Sequence, residues 1–365
     1  ELAPIAFELD KKAEFPTDLY LKMNRDIGVC AIPFKEEHGG LGLGILEMSL
    51  AIEELARADQ TFALSAMVAV ATGLTLQSFG SDMQKQEYLP GIVAGTAVGS
   101  IAGTEPQAGS WTAGFTTRAD RKGDKWSISG EKAFITNSGT DITTYNLVAA
   151  VTSPKDAAKS KMSLFLVPAG TPGVTIGKSY DKLGWRSSDT HPIYLDGAEV
   201  GDEMMAGNEG DGRYIVHKTY QSARCFLSAC ALGLSQACLD HSIAYVNERQ
   251  AFGRSLGGLQ MIQKMIADMA VKVETSRLLA RSAAMKADAG TASIYELAMA
   301  KYYCCESSSE VADLAVQVHG GYGFMNDCPV SRYARDTRIT RIGDGSSQIQ
   351  TMIIAKELGL DVTFT

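Results

Sequence analysis

The spacing of apolar residues changes period twice along this chain, and that double change narrows the available folds more than any other feature. In the first hundred residues Ile45, Met48, Ile52 and Leu55 recur at helical spacing, with Glu47, Glu53 and Glu54 on other faces. A further helix is expected from about Asp59, and Ser81 is placed to cap another around Met83 to Leu89. Near Val98 the period drops to two. Trp126 and Ile128 alternate with serines after a Lys122-Gly123-Asp124 turn. Short apolar runs follow at Leu147–Val151, Leu164–Val167, Val174–Ile176 and Ile193–Leu195, and Gly, Pro, Ser and Asp separate them. From Arg213 the helical period returns in long segments with few breakers: Tyr220–Arg249, Leu259–Ala289, Ser293–Val318 and Ser347–Leu358. The expected fold class is therefore α+β and multidomain. It comprises an N-terminal all-α domain over 1–97, a compact antiparallel β-barrel or sandwich over 98–208, and a C-terminal four-helix bundle over 209–365.

A chain of 365 residues exceeds what one small core can organise, which agrees with two or three domains. The net charge of −8 offers no basic stripe for nucleic acid. For a membrane helix, which needs about 20 apolar residues, the best candidate is Leu64–Leu76. That stretch is short and broken by Thr and Gly, so no span is expected. No signal or transit segment is visible, although the chain begins as if inside a helix. The seven cysteines form no C-x-x-C pair and the five histidines no H-E-x-x-H. No metal site or disulfide framework is expected, and a reducing compartment is.

The segment His38-Gly39-Gly40-Leu41-Gly42-Leu43-Gly44 invites a dinucleotide reading and fails it. Counting from Gly42, Glu47 stands where the third glycine belongs, no βαβ unit surrounds it, and no P-loop Lys follows. It reads as a loop turning tightly into a helix.

Three separated segments carry more information. The first is Thr104-Glu105-Pro106-Gln107-Ala108-Gly109-Ser110, followed by Phe134-Ile135-Thr136-Asn137. The second is Arg249-Gln250-Ala251-Phe252-Gly253. The third runs from Gln317 through Gly320-Gly321-Tyr322-Gly323-Phe324 to Arg332 and Asp336, and closes with Gly343-Asp344-Gly345-Ser346-Ser347-Gln348-Ile349-Gln350. In this order, over essentially the whole chain, they resemble the acyl-CoA dehydrogenase family, whose domain order is the one read above.

The resemblance implies FAD as cofactor, an acyl-CoA substrate, electron-transferring flavoprotein as acceptor, and a homotetramer built as a dimer of dimers. Thr136 matches the family position that hydrogen-bonds flavin N5, and Phe134 an aromatic packing on the ring. Thr104 matches a contact to the pyrimidine side and Ser110 one near the pyrophosphate. Arg249, with Phe252, matches the residues that reach the FAD of a neighbouring subunit, where a guanidinium fork suits a pyrophosphate. Gln317, Gly320 and Gly321 match adenosine and pyrophosphate contacts, and Ser346 and Gln348 are further cofactor positions. Ser110, Arg224 and Gly345 are implied substrate contacts. From the residues alone, Phe134 reads equally as a core-facing strand residue, Thr136 as a turn residue, and Arg249 as a helix C-terminal cation.

Dehydrogenation across Cα–Cβ of a thioester needs a carboxylate at the α-proton and donors at the thioester oxygen. The family's usual base is the Glu of a Tyr-Glu-Gly-Thr pattern, and here those positions read Gly343-Asp344-Gly345-Ser346. The second family location for a base precedes an Arg on the bundle helix and is occupied by Ala223, before Arg224. Asp344 is therefore the candidate base. The competing reading is an N-cap for the helix opening near Ser347. Losing one methylene draws the carboxylate back by on the order of 1 Å, and both changes delete volume beside Cα. A branched or alicyclic acyl group is the substrate this favours. Thr61 to Met67 carries no charge, which argues against a substrate with a second carboxylate. Trp111 and Gly103 replace a usual Asp and a usual apolar residue. Trp111 either lines the CoA channel or packs on the β domain. An oxidase or monooxygenase of the same fold, and a non-catalytic CoA-binding homologue, are the alternatives. The cytoplasm is the expected compartment, with the mitochondrial matrix as alternative.

Overall fold

The computed structural model describes residues 1–154 and 160–362. Five helices come first: α1 (Leu2–Lys12), α2 (Thr17–Ile27), α3 (Ile45–Ala58), α4 (Gln60–Phe79) and α5 (Asp82–Val93). The side chain of Asp59 caps α4 by accepting from Phe62 N, and that of Ser81 caps α5 by accepting from Gln84 N. The glycine-rich segment is a loop that ends where Glu47 accepts from Gly44 N at the start of α3.

α4 corrects the expectation about apolar length. Thr72 and Thr75 do not break it, because their hydroxyls donate to Ala69 O and Ala71 O within the helix. Gly73 leaves room for the ring of Phe34, which a Cβ there would meet at 2.5 Å. α4 and the later α6 (Gly212–Glu248) are both long and apolar enough to cross a membrane by length and composition. Most of each apolar stretch is nevertheless buried inside the fold, as in the core helices of a globular protein.

The middle of the chain forms one eight-stranded sheet from β1 (Val98–Ala102), β2 (Arg118–Lys122), β3 (Lys125–Thr136), β4 (Thr143–Val151), β5 (Met162–Pro168), β6 (Val174–Ile176), β7 (Thr190–Gly201) and β8 (Met205–Ala206). The expected hairpin joins β2 to β3, with Lys122 opposite Lys125 and Gly123 at φ 66°. Pairing is antiparallel except that β1 runs parallel to β4, as does the single pair Arg118–Val151. β4 is buried on both faces. Tyr145, Leu147 and Ala149 join the core shared with the helices, while Val148 and Ala150 join the core inside the sheet.

The last part holds α6, α7 (Gln260–Asp288), α8 (Ile294–His319), the short α9 (Pro329–Asp336) and α10 (Ser347–Glu357). A two-strand hairpin, β9 (Gln250–Ala251) with β10 (Arg254–Ser255), follows α6. α9 escaped the sequence reading because eight residues are too few for a period to declare itself.

Candidate active site

Two segments of the β domain are bound together at one rim. Ala133 N donates to Thr104 O at 2.9 Å, and Lys132 Nζ reaches both Gly103 O (3.0 Å) and Glu105 Oε1 (2.8 Å). Burial works against Glu105, but Lys132 and the N–H groups of Thr116 and Thr117 hold its pKa at about 2. Lys132 is pushed down to about 8 by burial, with Glu105 opposing, so the pair is ionised at neutral pH.

This ion pair fixes the loop carrying Thr104 and the irregular end of β3, where register slips between Lys132 and Ile135. The slip places Phe134 at φ 62°, a conformation uncommon for a bulky side chain, and leaves it 65% exposed. Its ring centroid lies 5.0 Å from that of Tyr180. The core-facing reading of Phe134 is therefore corrected, because the bulge reverses its side. Among the described residues the Thr136 hydroxyl has no partner, and Ser110 is exposed close by in sequence on the Thr104 loop. Trp111 lies over Gly114 with its outer face exposed.

The bundle closes this rim from the other side. A Cβ added at Gly103 would stand 3.7 Å from the Tyr220 hydroxyl, so α6 reaches the end of β1. One turn further along α6, Arg224 is buried, and its Nε and Nη1 have no partner among the described residues. Burial lowers its pKa and the charge of Asp344 opposes this. Asp344 itself is raised by burial, with Lys301 first and Arg224 second acting against. Burial raises the Tyr220 phenol, and Asp344 adds to this.

The loop presenting Asp344 is built from left-handed residues, Asp344 at φ 50° and Gly345 at φ 88°. Gly343 N donates to Ile339 O, while Asp344 N finds no acceptor among the described residues. Asp344 is not the cap of α10. Ser346 is, its Oγ accepting from Ile349 N. Gly345 O accepts from Lys301 Nζ and from Gln350 Nε2, each at 2.8 Å. Gln348 is exposed on the first turn of α10.

A second group gathers at the far end of α6. Phe252 and Gly253, at φ 50° and 73°, form the two-residue turn of the β9–β10 hairpin, with Ala251 opposite Arg254. Arg249 has no carboxylate partner among the described residues, and its guanidinium lies 5.6 Å from the Tyr322 ring. Gly320 and Gly321 border open space, with nothing within 4 Å of an added Cβ, and Gln317 is exposed one turn before them. A cavity of about 390 Å³ lies alongside, lined by His241, Tyr245, Glu248, His319 and Tyr322. The 25 residues of α6 and its cap from Arg224 to Arg249 rise about 37 Å. Within one protomer the two groups are therefore far apart.

Sequence reasoning missed Tyr180, Tyr220, Lys132 and Lys301. Lys301 did leave a signal, since it falls on the buried stripe of α8 between Leu297 and Cys304.

The N-terminal, middle and C-terminal domain models of acyl-CoA dehydrogenase match residues 1–96, 100–198 and 210–359. A probable acyl-CoA dehydrogenase of Bacillus subtilis, YngJ, is 38% identical over 98% of this chain and 94% of its own length. The butyryl-CoA dehydrogenase of Megasphaera elsdenii superposes with a TM-score of 0.94 at 33% identity, over 98% of this chain and 94% of the other. A structure from work on the electron transferring flavoprotein of Acidaminococcus fermentans and flavin-based electron bifurcation gives 0.94 at 37% identity, over 99% and 94%.

Proposed function

Since this chain belongs to the acyl-CoA dehydrogenase family, as an FAD-dependent oxidoreductase acting on acyl-CoA, we propose that it desaturates a thioester across Cα–Cβ with Asp344 as the base. The residues present suit the cofactor: an exposed Phe134 ring, the Thr104 loop and a Thr136 hydroxyl on one rim, with open glycines at the other group; among the described residues the Thr136 hydroxyl and Arg249 have no side-chain hydrogen-bond partner. When bound, FAD supplies the acceptor for the β-hydrogen as hydride. Asp344 takes the proton from Cα, and its own free N–H is the donor for the thioester oxygen, where negative charge grows as that proton leaves. Burial raises the Asp344 pKa, and the charge of buried Arg224 is among those that oppose the rise. Ser110 and Gly345 border the thioester, and Ser346 and Gln348 complete the cofactor's side. The observation that carries this reading is the left-handed loop, which leaves Asp344 free of any capping duty.

Arg249, Phe252, Gln317, Gly320 and Gly321 gather beyond the far end of α6, too far from the rim to serve the same cofactor, so we assign them to the FAD of a second copy in a homotetramer. Electron-transferring flavoprotein is the proposed acceptor, in line with the A. fermentans work, and the cytoplasm the proposed compartment. For the acyl group we propose a branched or alicyclic one. An added Cβ at Gly343 would meet nothing nearer than Ile339 O at 3.6 Å, so its bareness is spare volume and no backbone requirement.

Anaerobic mixing of the yellow holoenzyme with straight, branched and alicyclic acyl-CoAs tests this by flavin bleaching. Bleaching is expected fastest with the bulkier thioesters, followed by slow reoxidation in air. Rapid peroxide formation would identify an oxidase instead, and no bleaching with any thioester a non-catalytic homologue. Asp344→Asn should slow bleaching by on the order of 10²–10⁴, and a native rate would remove Asp344 from the mechanism. Asp344→Glu should shift preference toward straight chains.

A further inference from the structure

We infer that Lys301 is a positioning residue of this reaction: from α8 its ammonium grips the left-handed loop at Gly345, the residue after Asp344, and sets a buried positive charge beside the base. The inference rests on the assignment of Asp344 as base. Lys301 is completely buried, and a buried ammonium is ordinarily matched by a carboxylate. Among the described residues it makes no ion pair, and its one hydrogen bond goes to a neutral group, Gly345 O, at 2.8 Å.

α8 itself brings Cys305 and Glu306. Glu306 is already engaged, accepting from Ser347 Oγ and pairing with Arg341 from the turn before the loop. α6 brings Arg224, which repels Lys301, and Tyr220 and Cys230, which both sense the charge of Asp344. That leaves Asp344 as the carboxylate for which Lys301 and Arg224 are the counter-charges.

The hydrogen bond and the charge can be separated. Gln350 Nε2 donates to the same Gly345 carbonyl at 2.8 Å, so the loop keeps a donor without Lys301. What no other group duplicates is a second cation against the base. Burial alone drives Asp344 toward its neutral form, which cannot accept a proton. The two cations oppose that drive, and so help set where on the pH scale the base becomes usable.

The test uses the holoenzyme with Lys301→Gln, which retains a donor and removes the charge, and Lys301→Met, which removes both. Flavin bleaching is followed against pH, and the absorption spectrum of the resting flavin is titrated without substrate. In both variants the acid limb of bleaching should move up on the order of one pH unit, a tenfold loss of rate on the acid side. The plateau should stay within a few-fold of native. Any inflection of the resting spectrum that Asp344→Asn abolishes should move with the limb. A limb that stays in place in Lys301→Gln while Asp344→Asn is inactive overturns the inference and leaves the proposed function standing. Native bleaching by Asp344→Asn overturns the base assignment, and this inference with it. If Lys301→Met loses its FAD, Lys301→Gln decides alone; loss of the folded holoenzyme in both would make Lys301 purely structural and overturn the inference.

Discussion

Lys132 is one of two lysines with no access to water among the described residues, and Glu105, 2.8 Å away, is equally sheltered. A buried pair of this kind adds little over a well-packed apolar pair, but breaking it from one side leaves an uncompensated charge. Its value here lies in position, because Lys132 also holds Gly103 O and lies two residues before Phe134. Lys132→Met should therefore destabilise the protein by about 3–5 kcal/mol, read as a lowered urea midpoint, and should weaken FAD retention in parallel. Adding Glu105→Gln to Lys132→Met should recover part of the stability, since the stranded carboxylate is gone. If the double variant is less stable than Lys132→Met, the ion pair is not the source of the loss.

Elements were legible where their cause is local. α4, α5 and α8 start where a capping Asp or Ser precedes a helical period, and the β2–β3 hairpin forms where Gly123 supplies positive φ. The parallel pairing of β1 with β4 was not legible, because strand partners are chosen across the whole sheet. Which side Phe134 faces depends on a bulge that a period-two pattern cannot announce. Asp344 could be found only through a motif, and Lys301, which lies outside every motif, only through its place on the buried stripe of α8. The β9–β10 hairpin combines both situations. Its turn places Phe252 at φ 50° with 88% of its surface exposed, so the ring gains no packing within the protomer to offset its strained backbone. Strain kept without local benefit points to a duty elsewhere. Phe252→Asn, which tolerates that conformation, should leave stability unchanged or raise it by about 1 kcal/mol. It should also lower FAD retention in the assembled protein. Unchanged FAD content, measured by absorbance after gel filtration, would remove Phe252 from the cofactor site.

At the scale of the whole molecule, one buried polar cluster ties all three parts together. Arg332 of α9 pairs with Asp59 at the cap of α4 at 2.7 Å. Asp336 accepts from the backbone N–H of Trp185, beyond β6, at 2.7 Å, and the Trp185 indole donates to Gln60 at 2.8 Å. Arg335 closes the outer edge by pairing with Asp10 of α1. Two carboxylates, Asp59 and Asp336, thus crowd around one buried guanidinium, and one of them is left short of positive charge. Burial first, then Asp59, pushes Asp336 from 3.8 up to about 7, with Arg332 and the Trp185 N–H opposing. In the unfolded chain Asp336 loses its proton near its ordinary value, whereas the folded protein keeps it to about 7. Between these values the native state binds more protons than the unfolded state, so Asp336 costs stability progressively as pH rises through that window and no further above it. Asp336→Asn keeps an acceptor for Trp185 N and cannot ionise. Its urea midpoint should therefore gain on the native protein steadily from about pH 4 to pH 7 and level off above that. Asp59→Asn, by contrast, breaks the 2.7 Å pair with Arg332 and leaves Asp336 as its counter-charge, so its Asp336 should give up its proton at lower pH than in the native protein. A gap between Asp336→Asn and the native protein that does not change with pH would mean that the native cluster holds no such proton, and that Arg332 neutralises both carboxylates at once.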